Sequence, residues 1–209
     1  IRDRTYIVDD AYLVTEYLKY RYPTLNISIF SHSMGTLVSR NYLKKYEKHI
    51  EKIVLCGPPT ENKLVDLALF AGKLTGLFYK DYKPNKILNR LSVGYYNKGY
   101  TTENEWICSN LQTVYEYNTD PLCGFTFTTS GFMNLFQLLK SAFIKEDWNP
   151  QNSSLPIFLI AGVNDPVIQG KQKFNELEEF LKEVERECEE WMYPSVVKET
   201  CTMLNGATI

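Results

Sequence analysis

The chain has 209 residues but only two histidines, His32 and His49, so any chemistry that needs an imidazole base has two candidates. Cysteine is sparse and oddly numbered: Cys56, Cys108, Cys123, Cys188 and Cys201 form no CxxC pair. That pattern argues against a disulfide framework or a zinc site and for reduced, mostly buried thiols in a cytoplasmic protein. No apolar run is long enough to cross a membrane. The longest, Leu64 to Phe78, is broken by Asp66 and Lys73 and falls short of the ~20 residues a span needs. No charged-then-apolar leader follows Ile1, and the expectation is a soluble protein. An excess of one charge is also missing, since 23 basic and 25 acidic residues give a net charge of −2. That excludes an obvious nucleic-acid footprint or anionic-membrane patch. The sequence shows neither an internal repeat nor a low-complexity tract, and it calls for no metal and no cofactor.

What is present is enough chain for one domain with a full core and room for an inserted subdomain. Val8, Ala11, Tyr12, Thr15 and Leu18 share one face at helical spacing, and this helix should stop near Tyr22-Pro23. A short buried strand is expected over Asn26 to Phe30. A helix should follow from Met34 to about Lys48, with Leu37, Val38, Tyr42 and Tyr46 inward, then a strand over Lys52 to Cys56. Helix, strand, helix, strand within about fifty residues points to a parallel α/β unit. From Thr60 to Asn152 the rhythm breaks into Leu-, Phe- and Tyr-rich helical sequence, read as an insertion between two strands. Leu155 to Gly162 resumes the sheet. A long helix should bury Phe174, Leu177, Leu181, Val184 and Cys188 and expose an acidic face of Glu176, Glu178, Glu179, Glu183, Glu185 and Glu187. Trp191-Met192-Tyr193 reads as a last short strand. The expected divisions are 1–59 (core), 60–152 (helical cap) and 153–209 (core).

One stretch carries the chemistry. Ile27 to Phe30 is strand-like, Ser31-His32-Ser33-Met34-Gly35 makes a sharp turn, and an amphipathic helix begins at once. This is the pattern of a nucleophile elbow, with Ser33 at the apex and small residues at 31 and 35 where backbones crowd. A serine hydroxyl is a poor nucleophile alone and needs a base oriented by an acid. Asp165, in the loop after the strand ending at Gly162, fits as the acid, because reactive groups collect beyond the carboxyl ends of parallel strands. The alternative is that Asp165 only caps a turn before Pro166. The backbone N–H of Met34, at the helix start, fits as one oxyanion donor. The base is missing. His32 leaves the elbow in another direction, and His49 lies roughly 20 Å away along the following helix at 1.5 Å per residue.

Four motifs carry a resemblance. They are Phe30-Ser31-His32-Ser33-Met34-Gly35, Tyr117 to Phe127 (YNTDPLCGFTF), Leu159 to Val167 (LIAGVNDPV), and Met192-Tyr193-Pro194. Over roughly Asp9 to Pro194 the sequence resembles the α/β-hydrolase superfamily, in particular the monoacylglycerol lipase and lysophospholipase group related to serine aminopeptidases. The resemblance implies a mostly parallel sheet with helices on both faces and an inserted helical cap. It implies Ser33 as nucleophile, Asp165 as acid, and a lid over 60–152 whose apolar inner face receives an acyl chain. Two departures stand out. Relatives carry a preceding half-domain with a His-Gly oxyanion loop, and Lys198 stands where they place the catalytic histidine. The expectation is therefore a fragment with an altered carboxyl end. It is expected to descend from serine hydrolases of monoacylglycerol- or lysophospholipid-type esters and to be impaired as it stands. The alternatives are a non-catalytic protein that binds an apolar ligand and an aminopeptidase-like hydrolase.

Overall fold

The computed structural model describes residues 3–79, 83–152, 154–184 and 187–193. Asp3 opens the first helix by accepting the Thr5 N–H at 2.8 Å, filling one of the donors a first turn leaves free. Helix α1 (Arg4–Arg21) then buries Val8 and Thr15 and stops before Pro23, as the sequence predicts. Four strands follow in one parallel sheet of order β1-β2-β3-β4: β1 (Ser28–His32), β2 (Lys52–Cys56), β3 (Pro156–Gly162) and β4 (Glu187–Tyr193). The first strand sits two residues later than expected. Pairing with β2 carries it through His32, opposite Cys56, up to the elbow itself. The last strand is longer than the three residues expected, because β3 offers pairing along its whole length. It also takes Cys188 and Glu187 out of the preceding helix and into the sheet, which corrects the helical reading of both. Glu185, Cys201 and the run from Pro194 to Ile209 lie outside the described residues.

Helix α2 (Met34–Tyr46) is shorter than expected, because the chain tightens into a 3₁₀ turn over Glu47–His49. It buries almost its whole circumference, including Thr36, Ser39, Arg40 and Asn41 beside Leu37, Tyr42 and Leu43. An amphipathic pattern alone would leave one face wet. Here α1 covers one side, where Tyr42 donates to Thr15 at 2.9 Å, and a later helix covers the other.

Between β2 and β3 lie α3 (Val65–Gly76), α4 (Lys86–Leu91), α5 (Leu111–Thr119) and α6 (Thr129–Ala142). The last of these belongs to the main core through Leu138 and Ala142, and its Leu138 carbonyl accepts from Asn41 Nδ2 at 3.0 Å. Earlier parts of the segment build two small clusters of their own, around Trp106 and around Phe132. Helix α7 (Lys171–Glu183) buries Phe174, Leu177, Phe180 and Leu181.

Parallel register sorts the sheet into rows. Ile29, Ile53 and Ile157 line up, as do Leu55 and Leu159, and these face α1, α2, α6 and α7 in one continuous core. The opposite row is Phe30, Val54 and Phe158; Phe30 is 52% exposed and the other two are half-buried. Every helix contributing to the main core does so on the first face. All crossovers step the same way along the sheet, and right-handed connections then place their helices together.

Candidate active site

Ser33 takes φ 51° and ψ −118°, a conformation that side chains with a Cβ rarely adopt. Its surroundings over-determine it. The Ser33 N–H donates to the Cys56 carbonyl at 2.9 Å, so β1 hydrogen-bonds β2 up to the apex. Its carbonyl accepts from the Thr36 N–H at 3.0 Å and the Thr36 hydroxyl at 2.7 Å, which starts α2 immediately. Strain held this way is typical of sites where a side chain must be presented. Met34 is the first residue of α2 and is 36% exposed, so its N–H falls in the turn that a helix leaves without internal acceptors. A Cβ on Gly35 would sit 3.8 Å from Cβ of Ser31, an ordinary contact, so the crowding at positions 31 and 35 is milder than the motif implies. Ser31 uses its hydroxyl to bind the Val54 carbonyl at 3.2 Å.

Asp165 is 2% exposed and stands just past β3, as the sequence predicts. Its Oδ1 accepts the Val167 N–H at 2.9 Å and caps a 3₁₀ turn over Pro166–Ile168. The turn-capping reading is thus true as local structure. A cap engages one carboxylate oxygen of two, so it is compatible with a second role for the same side chain.

The turn is braced from two sides by residues that sequence pattern does not single out. Val167 packs in a cluster with Trp106, Ile107, Cys108 and Val114, flanked by Tyr96. Burial, with a smaller push from the Asp165 charge, raises the Tyr96 pKa and keeps that phenol neutral. On the other side the buried Thr60 donates to the Ile168 carbonyl at 3.1 Å and accepts from Gln169 Nε2 at 3.1 Å. Gln169 itself is left-handed, with φ 56°. The aromatic richness of residues 93–117 was the available signal for the first brace. Nothing in the sequence signals the second.

Two cations on one side of α2 are also buried. Arg40 is fully enclosed, and burial lowers its pKa to about 9. Its guanidinium reaches the Thr36 carbonyl at 3.3 Å and the Pro59 carbonyl at 2.7 Å and lies over the Phe143 ring at 4.9 Å. Lys44 donates to the carbonyls of Ser141 at 2.5 Å and Ile144 at 3.1 Å, satisfying the end of α6. Burial pushes its pKa down to about 8 against the pull of Asp147, 3.7 Å away.

The histidines fall where the sequence places them. His32 ends β1 opposite Cys56. His49 lies beyond the far end of α2, with Nδ1 3.0 Å from Lys19 Nζ, and burial followed by Lys19 lowers its pKa. A thirteen-residue helix, about 20 Å, separates His49 from Ser33.

The parallel sheet with helices is the α/β-hydrolase fold, and it carries a strained serine between strand and helix and a buried aspartate beyond a later strand. The family model for the serine aminopeptidases, S33, matches residues 1–197, and the chain belongs to that family. Among solved structures it is similar to a thermostable carboxyl esterase from Bacillus coagulans in complex with glycerol. The TM-score is 0.84 at 21% identity, over 100% of this chain and 74% of that one. It is also similar to a monoacylglycerol lipase from Paleococcus ferrophilus, with TM-score 0.62 and 17% identity over 91% and 65% of the two chains. A third likeness is to a soluble variant of monoglyceride lipase from Saccharomyces cerevisiae in complex with a substrate analog, with TM-score 0.64 and 14% identity over 95% and 63%. The chain thus spans 63% to 74% of the length of these structures. No curated protein matches it. No helix among the described residues is long and apolar enough to cross a membrane.

Proposed function

We propose that the protein is a serine hydrolase of carboxylic esters of the monoacylglycerol or lysophospholipid type. Ser33 forms the acyl-enzyme, Asp165 is the acid, and the Met34 N–H is one oxyanion donor. The observation that carries this reading is the strained, positive-φ backbone of Ser33, held between β1 and α2 by hydrogen bonds to both elements, as the apex of a nucleophile elbow requires. Ser33 and Asp165 lie one intervening strand apart, about 10 Å across the sheet, a gap that one bridging imidazole fills. An apolar substrate is supported by the exposed Leu67, Phe70, Leu74 and Leu77 of α3 and its end. Residues 60–152 serve as the lid, with α6 as its root in the core. The burial of Cys56 and Cys108 and the lack of any CxxC pair support a reducing, cytoplasmic setting.

The same reading takes the base to be missing from this chain, with His49 about 20 Å from Ser33 at the far end of α2, and turnover to be impaired accordingly. A fluorophosphonate probe should label Ser33 slowly and lose the label in Ser33→Ala. Lys198→His should raise hydrolysis of a short-chain aryl ester by about 10²-fold, the lower end of what a positioned base contributes. That rate should climb with pH through about 6.5 as the new imidazole loses its proton. Absence of Ser33 labelling in both the unaltered chain and Lys198→His would support instead a non-catalytic protein that binds an apolar ligand. Faster cleavage of aminoacyl amides than of esters would favour the aminopeptidase-like reading.

A further inference from the structure

Arg40 raises a question that the proposed reaction leaves open. Among the described residues its guanidinium has no carboxylate partner, and Nη1 has no hydrogen-bond partner at all. Burying an unpaired cation costs stability, and an apolar side chain of similar volume is often as good or better. Packing alone gives no reason for a guanidinium here.

Its hydrogen bonds do. Arg40 lies seven residues after Ser33, two turns along the same side of α2. On the helix side, Thr36 Oγ1 donates to the Ser33 carbonyl at 2.7 Å, and the Thr36 carbonyl accepts from Arg40 Nε at 3.3 Å. Arg40 Nη2 then crosses to the loop after β2 and donates to the Pro59 carbonyl at 2.7 Å. The next residue, Thr60, spends its hydroxyl twice, as donor to the Ile168 carbonyl and as acceptor from Gln169 Nε2, each at 3.1 Å. Gln169 in turn donates its backbone N–H to the Pro166 carbonyl at 3.3 Å, closing the turn whose Val167 N–H holds Asp165 at 2.9 Å. The chain of contacts is unbroken from the carbonyl of Ser33 to the carboxylate of Asp165.

We propose that Arg40 is a positioning residue. Acting through Pro59 and Thr60, it fixes the turn that carries Asp165 in register with the helix that carries Ser33. The proposal rests on the reading of Ser33 and Asp165 as catalytic partners. The two residues follow different strands and are separated by 131 residues of chain, so the sheet alone sets their spacing only as well as two loops allow. A guanidinium suits the task because its fixed fork of donors can hold two carbonyls of different elements at once. Thr60 suits it because its hydroxyl is both donor and acceptor. Gln169 needs the tie, since its left-handed backbone is disfavoured for a residue with a side chain.

The test is amide hydrogen exchange by NMR on the 209-residue protein, with melting temperature measured alongside. Thr60→Val keeps the shape and removes both hydroxyl bonds. It should speed exchange at Val167 and Gln169 by about tenfold, the worth of one to two net hydrogen bonds, and leave the Ser33 N–H unaltered. Arg40→Met should loosen the same two amides while leaving the melting temperature equal or higher, since an unpaired buried charge is gone. Arg40→Lys, which can still reach Pro59, should restore part of the protection. The double variant Arg40→Met/Thr60→Val should exchange no faster at these amides than the faster single variant, because the two bonds act in series. Unchanged exchange at 167 and 169 in Thr60→Val, or effects that multiply in the double variant, would overturn the proposal. So would a loss of protection spread evenly over the fold with a lower melting temperature, which marks a purely structural role. Should Arg40→Met not fold, Thr60→Val and Arg40→Lys decide the question by the same readouts. None of these readouts needs turnover. Failure of Ser33 to label would sink the catalytic reading while leaving the exchange result to stand or fall alone.

Discussion

At the scale of single residues, one substitution separates the cap that Asp165 forms from the acid role proposed for it. Its Oδ1 caps the turn at Val167, and an asparagine oxygen caps as well as an aspartate one. Asp165→Asn should therefore leave the melting temperature within about 2 °C of the unaltered protein, a shift worth no more than about 1 kcal/mol. An asparagine cannot stabilise an imidazolium, so in the Lys198→His background the same change should cut ester hydrolysis by orders of magnitude. Equal activity of the two forms would reduce Asp165 to its cap. Ser31 shows a milder effect of the same kind. It stands where the family motif favours glycine, and the structure accommodates it because its hydroxyl finds the Val54 carbonyl and its Cβ keeps 3.8 Å from the position a Cβ would take on Gly35.

At the scale of elements, α2 acts as the central beam. The sequence leads one to expect only Leu37, Val38, Tyr42 and Tyr46 to face inward. Packing between α1 and α6 instead buries Arg40 and most of the Lys44 side chain, which is 7% exposed. The consequence is a pH dependence with a definite sign. Burial lowers the Lys44 pKa to about 8 in the folded chain, below the ordinary lysine value near 10.5 that the unfolded chain keeps. Between those values the unfolded state binds the extra proton, so stability rises with pH through that window and the cost is fully present below it. Unfolding midpoints in urea should increase from pH 8 to pH 10, and Lys44→Met should flatten that rise. Arg40 shifts in the same direction, so its own variants should retain the Lys44 slope. A rise of equal size in Lys44→Met would place its origin elsewhere.

At the scale of the whole molecule, the described sheet has one dressed face and one bare one. Helices α1, α2, α6 and α7 seal the first, while Phe30 stands 52% exposed on β1, the outermost strand of the described sheet. Helix α1, on the dressed face, separately exposes Leu13, Val14 and Tyr17. An apolar face beside an edge strand is a template for association. Sedimentation velocity should show the 209-residue chain growing in mass with concentration. Phe30→Lys should move it toward the monomer without changing its far-UV signature. A monomer at all concentrations in the unaltered chain would show that the edge is protected as it stands.

Much of this molecule was legible before folding. The strand-turn-helix around Ser33, the strand over Lys52 to Cys56 and the stop before Pro23 are local events, dictated by β-branched runs, small residues at a sharp turn and the stereochemistry before proline. The loop holding Asp165 could be placed for the same reason. Local pattern could not say that α2 is buried all round, that Cys188 pairs in the sheet and not on a helix, or that Thr60 and Arg40 tie two distant turns together. Those depend on contacts between residues far apart in the chain, where burial overrides propensity and a hydrogen-bond partner has no fixed offset in sequence. The sequence by itself determined which residues are proposed to bear the chemistry. Only the tertiary structure decided what holds them in place, because that depends on which carbonyls a buried guanidinium and a buried hydroxyl find once the sheet has closed around them.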